Sequence, residues 1–164
     1  MTEFTSAILD SQGDVSHWHY VAYDQLNRDL LPDEEGIGLI FIETSWKAKQ
    51  LPYHKQKLAL LLSNQRHFAL EMQDAGYPVR YVFSEKEYGE ILGGICKELG
   101  KITATKPAEL TLRRSLQPLI DSGEIKLLDH KGWLTTTEDF TKGAGQNAPW
   151  RMDKFYRYVR KQYS

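Results

Sequence analysis

Five short β-like runs separated by helical patterns predict an α/β protein built on a doubly wound parallel sheet. Three observations carry that expectation. The run IGLIFI, from Ile37 to Ile42, is continuously apolar and β-branched, as a central strand covered on both faces must be. Between the strand-like runs, apolar residues recur at helical spacing. Glycines stand where those helical patterns stop, at Gly76 and Gly100, and Pro78 follows the first closely.

The elements follow in order. HWHYVA (17–22) reads as the first strand and IGLIFI (37–42) as the second. A long helix then carries Leu58, Leu61, Leu62, Phe68, Ala69 and Met72. VRYVF (79–83) is the third strand, and Ile91, Leu92, Ile95 and Leu99 give the next helical stripe. KITAT (101–105) is the fourth strand. It leads through Pro107 into a helix with Leu112, Leu116, Leu119 and Ile120, which Pro118 is expected to kink or shorten. EIKLLD (124–129) is the fifth. With right-handed crossovers this order gives a Rossmann-like, doubly wound sheet of about five parallel strands with helices on both faces. Residues 1–16 read as a polar tail or an added edge element, 17–142 as the α/β domain, and 143–164 as a linker and a C-terminal basic helix. In that last segment GAGQNAP (143–149) reads as loop, and Arg151, Lys154, Arg157, Arg160 and Lys161 give the helix its charge.

Composition narrows the function classes. The chain has 164 residues, 41% of them hydrophobic, and a net charge of −1, which draws it to neither nucleic acid nor an acidic membrane. No apolar run approaches the roughly 20 residues that span a bilayer. Cys96 is the single cysteine, so no intrachain disulfide forms. It sits among apolar residues, reads as a buried thiol, and makes the cytoplasm the expected compartment. HWH at 17–19 has no carboxylate or cysteine beside it to complete a metal set.

A ligand in an open parallel sheet sits beyond the carboxyl ends of the strands, where strand order reverses. Asp24, Gln25 and Leu26 follow the first strand and Glu43, Thr44 and Ser45 the second, so both sets fall at that edge. Asp24 or Gln25 there would bond a ring amide or a hydroxyl; alternatively, Asp24 and Asn27 simply stabilise a turn. No glycine-rich phosphate motif is present, because Gly89, Gly93 and Gly94 fall inside a helical pattern. No Ser/His/Asp spacing or paired acids mark a catalytic residue. The residues supply a cleft without chemistry.

Four stretches add a resemblance. DQLN after the first strand, FIET in the second, YHKQKLALLLSNQRHFALEMQDAGYPVRY, and MDKFYRYVRK run in the same order as in one family. From about His19 to its end, the sequence resembles the deoxyribodipyrimidine photolyase-related proteins, the iron–sulfur bacterial branch of the photolyases and cryptochromes. The resemblance implies an N-terminal antenna-type α/β domain of a flavoprotein family, joined in cis to a larger C-terminal FAD-binding domain. FAD, the iron–sulfur cluster and contact with DNA belong to that domain in a full-length parent, and one cysteine does not bind such a cluster. The parent would be a light-driven DNA photolyase, a lyase that repairs DNA, or a cryptochrome, while this chain by itself carries no catalytic machinery. The antenna chromophore would be dimethyl-ribityl-lumazine, with Asp24, Gln25, Leu26 and Glu43 at its pocket. Tyr23 stands where the family usually has glycine, and there it either narrows the pocket or stacks on a bound ring. After the fourth strand KPAELTLRR replaces the family's usual Glu-Pro-Gly-Glu-Trp-Arg, keeping Pro107 and Glu109.

Overall fold

The structure, a computed structural model, describes residues 3–8, 15–50 and 52–163. Of the expected N-terminal tail, residues 1, 2 and 9–14 lie outside the described residues, as does 164 in the basic helix. The chain forms two compact units, Met1–His130 and Lys131–Ser164.

In the first unit the described strands make one five-stranded sheet, all parallel. They are β1 (His17–Tyr20), β2 (Ile37–Thr44), β3 (Val79–Ser84), β4 (Ile102–Thr105) and β5 (Ile125–Leu128), in the spatial order β3-β2-β1-β4-β5. The expected Rossmann-like sheet is present, and β1 pairs β2 from His17 opposite Ile37 to Tyr20 opposite Ile40.

Side chains of β2 alternate between two cores, as a two-residue period requires. Ile40 and Ile42 join Tyr20, Ala22, Ile102 and Ala104 on one face. There α4 (Tyr88–Leu99) and α5 (Leu110–Asp121) pack through Leu92, Ile95, Leu112 and Leu116. Leu39 and Phe41 join Val21 and Val79 on the other face, met by Phe68, Ala69 and Met72 of α3 (Lys55–Asp74). Cys96 is buried in the first core, and burial, with Glu124 nearby, pushes its thiol up to about 11.

Helix ends follow sequence chemistry. His54 caps α3 by accepting the Gln56 N–H on Nδ1, so this residue serves the helix as an acceptor. At the other end Gly76 has φ +91°. The Tyr77 N–H reaches the Met72 carbonyl and the Gly76 N–H that of Gln73, the paired closure a left-handed residue permits. Two short helices were not legible: α1 (Glu3–Ala7), within the expected tail, and α2 (Ser45–Gln50), directly after β2. Phe4 of α1 lies edge-on to Tyr81, with ring centroids 4.8 Å apart. The helix α5 continues through Pro118, which costs it the one backbone bond that residue's N–H would have donated, without ending it.

The second unit pairs α6 (Thr137–Ala144) with α7 (Met152–Tyr163). Thr136 and Asp139 close a reciprocal capping box at the start of α6. Gly143 and Ala144, expected in a loop, are the last residues of that helix. A Cβ on Gly143 would lie 2.7 Å from the Tyr158 ring, so α7 approaches α6 where no side chain intervenes. Phe140 meets Phe155 at 5.1 Å and Trp150 at 5.8 Å between ring centroids. The basic helix is present, with Phe155, Tyr158 and Val159 half-buried and its cations exposed.

Candidate functional site

Strand order reverses between β1 and β4, so the chain leaves those neighbouring strands toward opposite sides. Two adjoining hollows lie at this edge of the sheet. One, of about 190 Å³, has an aliphatic wall from Ile42, Ala48, Leu58, Leu61 and Leu62. The other, of about 280 Å³, is lined by Trp46, Tyr53 and Tyr88 together with Lys47, Glu109 and Thr111. Lys47, Tyr53 and Tyr88 border both.

A polar cluster stands at the junction. The Tyr23 hydroxyl donates to Glu109, and the Lys47 ammonium donates to both the Tyr23 oxygen and Glu109. Lys47 also lies 4.3 Å from the Tyr23 ring centroid, a cation–π contact. Thr111 donates to the second oxygen of Glu109. Burial alone would raise the Glu109 pKa, but the bonds from Lys47, Thr111 and Tyr23 outweigh it and hold the carboxyl below its ordinary range. Burial, then the bond to Glu109, raises the Tyr23 phenol well above its ordinary range. Both groups keep their charge states across neutral pH.

The five residues expected at the site separate. Tyr23 is half-buried and belongs to the cluster. Asp24 is exposed and lines neither hollow; partial desolvation raises its carboxyl, its own backbone N–H offsets part of this, and the Glu109 charge adds to it. Gln25 is buried, and its amide donates to the Thr105 and Lys106 carbonyls at 3.3 and 3.2 Å. It therefore fastens the end of β1 to the end of β4, and its Oε1 has no partner. Leu26 packs against the α3 side of the core. Glu43 borders the aliphatic hollow, but Arg66 takes both carboxylate oxygens at 2.8 and 2.5 Å and the Tyr81 hydroxyl donates at 2.9 Å.

Lys47, Tyr53, Tyr88 and Trp46 were missed by sequence reasoning. Lys47 and Trp46 lie within SWKAKQ directly after β2, and position past a strand end was the signal available for them. Tyr53 precedes α3 and Tyr88 is the first residue of α4, and no local pattern links them. Among the described residues no group of His, Cys, Asp and Glu is arranged to hold a metal, and no helix is long and apolar enough to cross a membrane.

Comparison with known proteins follows the same outline. The family model described as deoxyribodipyrimidine photo-lyase-related protein matches residues 19–164. A relative from Agrobacterium fabrum (strain C58 / ATCC 33970), named (6-4) photolyase, is 24% identical over 139 residues. The match takes in 79% of this chain and 27% of that protein, so the chain spans about a quarter of its relative's length.

Proposed function

Because this chain belongs to the deoxyribodipyrimidine photo-lyase-related protein family, we propose that its α/β unit is an antenna module that holds a lumazine-type chromophore at the switch point. The carrying observation is the pair of adjoining hollows, where aromatic rings from Trp46, Tyr53 and Tyr88 stand beside the donors and acceptors of Lys47 and Glu109. That set fits dimethyl-ribityl-lumazine. Its flat ring takes aromatic faces, its carbonyls take N–H donors, and its ring N–H takes a carboxylate. When bound, the chromophore supplies absorption and passes on excitation. The chain supplies orientation and exclusion of water, and neither task needs an acid–base pair. Asp24, exposed next to Tyr23 just past β1, would offer its carboxylate to the ribityl hydroxyls.

On this reading the chain works with a C-terminal FAD-binding domain in cis. FAD, an iron–sulfur cluster and DNA contact reside in that part of a full-length parent, a photolyase or cryptochrome. The span of about a quarter of the relative supports such a partner domain.

Titration of the purified chain with the lumazine, followed by fluorescence, tests the assignment. Saturable binding that Asp24→Ala weakens about tenfold is the expected result. A second reading, a packing module with a closed cleft, is favoured by Lys47 turning inward onto Tyr23 and Glu109. Absence of binding by the folded chain would select it.

A further inference from the structure

We infer that the second unit presents a docking surface for an acidic amphipathic helix of another protein, seated along one stripe of α7. The inference goes beyond the antenna reading and uses none of its residues.

The stripe is apolar surface without a partner. Six of the nine large hydrophobic side chains left exposed among the described residues fall within 131–164. On α7 these are Met152, Tyr156 and Tyr163, each more than half exposed. At about 100° per residue they lie within roughly 40° of arc, so they form one line along the helix. Half-buried Val159 fills the gap, and the four residues follow one another at intervals of four, three and four. That is the spacing of a coiled-coil seam, whose complement is the apolar stripe of a second helix. The helix α6 does not fill this role. It meets Phe155 through Phe140, and Tyr158 at Gly143, on the neighbouring flank of α7. At the far end of the stripe the Tyr163 hydroxyl donates to the Leu134 carbonyl at 2.8 Å, which sets exposed Leu134 beside it.

Charge sets the chemistry of the partner. Within 131–164 Lys and Arg outnumber Asp and Glu by seven to three, although the whole chain carries −1. The basic surplus is therefore local. On the flank of the stripe away from Phe155 stand Asp153, Arg157 and Arg160. Asp153 is taken by Arg151 at 3.3 Å and Arg157 at 2.7 Å. Arg160, one turn beyond Tyr156, is exposed and has no ion pair among the described residues. A helix lying on the stripe meets Arg160 at its edge, and Glu or Asp beside its own apolar seam completes the contact.

Other occupants fit less well. A nucleic acid would use the cations and the tyrosine rings but leave Met152 and Val159 without partners. A bilayer would need the wide apolar face of a free amphipathic helix, and α6 already takes Phe155 and Tyr158. A second copy of α7 offers Arg160 no free acid, because its Asp153 is already paired.

The probe is a labelled synthetic helix of about three heptads, with leucine on the seam and glutamate beside it. A matched peptide carries lysine in place of glutamate, and fluorescence anisotropy reads both on the unaltered chain. Saturable binding of the acidic peptide, at least about tenfold tighter than the lysine peptide, is the expected result. Arg160→Glu should erase that preference, and Tyr156→Ser should weaken the acidic peptide about tenfold. Both side chains are exposed, so each variant should keep its fold, which circular dichroism checks. Equal affinity for the two peptides, or no binding of either, overturns the proposal. So does tighter binding of a single-stranded oligonucleotide or of phosphatidylserine vesicles, or a sedimenting dimer that Tyr156→Ser dissolves, because each gives the stripe another occupant. None of these results bears on lumazine binding, and the antenna reading stands or falls separately.

Discussion

His19 is 1% exposed within β1, with Nδ1 2.9 Å from the Thr103 hydroxyl and Nε2 3.5 Å from that of Thr105. A neutral ring fits those partners. Burial first, and the nearby His17 second, lower its pKa from 6.5 to about 4. Well above pH 6.5 the ring is neutral whether the chain is folded or not, so it contributes no pH dependence there. As pH falls below 6.5 the unfolded chain takes up a proton that the folded chain refuses until about pH 4. Stability therefore drops through that window, by about 3 kcal/mol from this residue. Urea midpoints at pH 7, 6, 5 and 4 should trace the fall, and His19→Gln should flatten this part of it. A profile that His19→Gln leaves unchanged would contradict this origin. At this scale the sequence was least legible. It raised Asp24 and Glu43 as equals, yet Glu43 is held by Arg66 and Tyr81, partners that only the crossover and strand pairing bring near. Gln25 was read as a ligand group, and its NH2 donates to carbonyls at the end of β4 while its Oε1 has no partner.

Among the elements, α4 and α5 show how a glycine inside a helical pattern serves packing. The Gly89 N–H bonds the Ser115 hydroxyl at 3.0 Å, and a Cβ there would lie 2.3 Å from the Ser115 backbone carbonyl oxygen. The obstacle is main chain, so no rotamer change relieves it. Gly89→Ala gains up to about 1 kcal/mol in helix propensity but forces the two helices apart. The net expectation is destabilisation of about 1–3 kcal/mol, read as a lower denaturant midpoint at unchanged slope. Strands were legible because buried parallel strands need continuous apolar runs, and α3 because its closure at Gly76 leaves a residue signature. In contrast, α2 is only six residues and has no apolar period, and α6 ends in glycine-rich sequence that normally marks a loop. The glycine at 143 leaves room for the Tyr158 ring, and that is a tertiary fact.

For the molecule as a whole, the alternation of elements indicated a doubly wound parallel sheet, and the strand order β3-β2-β1-β4-β5, which alternation alone does not fix, places the cleft without any motif. Chain order alone did not indicate which side chains would fill that cleft, because they come from segments far apart in sequence. If the chromophore binds as proposed, it couples to the stability of the entire α/β unit. At free lumazine a hundredfold above its dissociation constant, unfolding should cost about 2.7 kcal/mol more than without it. Thermal denaturation with and without the ligand reads this directly, and an unmoved midpoint under those conditions would exclude binding to the native fold.

The amide of Gln25 bears on how such a cleft changes size. Its two bonds continue the β1–β4 pairing past the last ladder position, like a rivet set beyond the end of a seam. Separating those strands to admit a larger guest would strip a buried amide of its acceptors, at a cost of about 1–3 kcal/mol. The β1–β4 seam beside the cleft is thus a fixed gauge, and adjustment falls to the wall where Lys47 and Trp46 sit on a helix of only six residues. Related chains that carry larger chromophores should differ there, in length or side-chain bulk after β2, and keep the rivet.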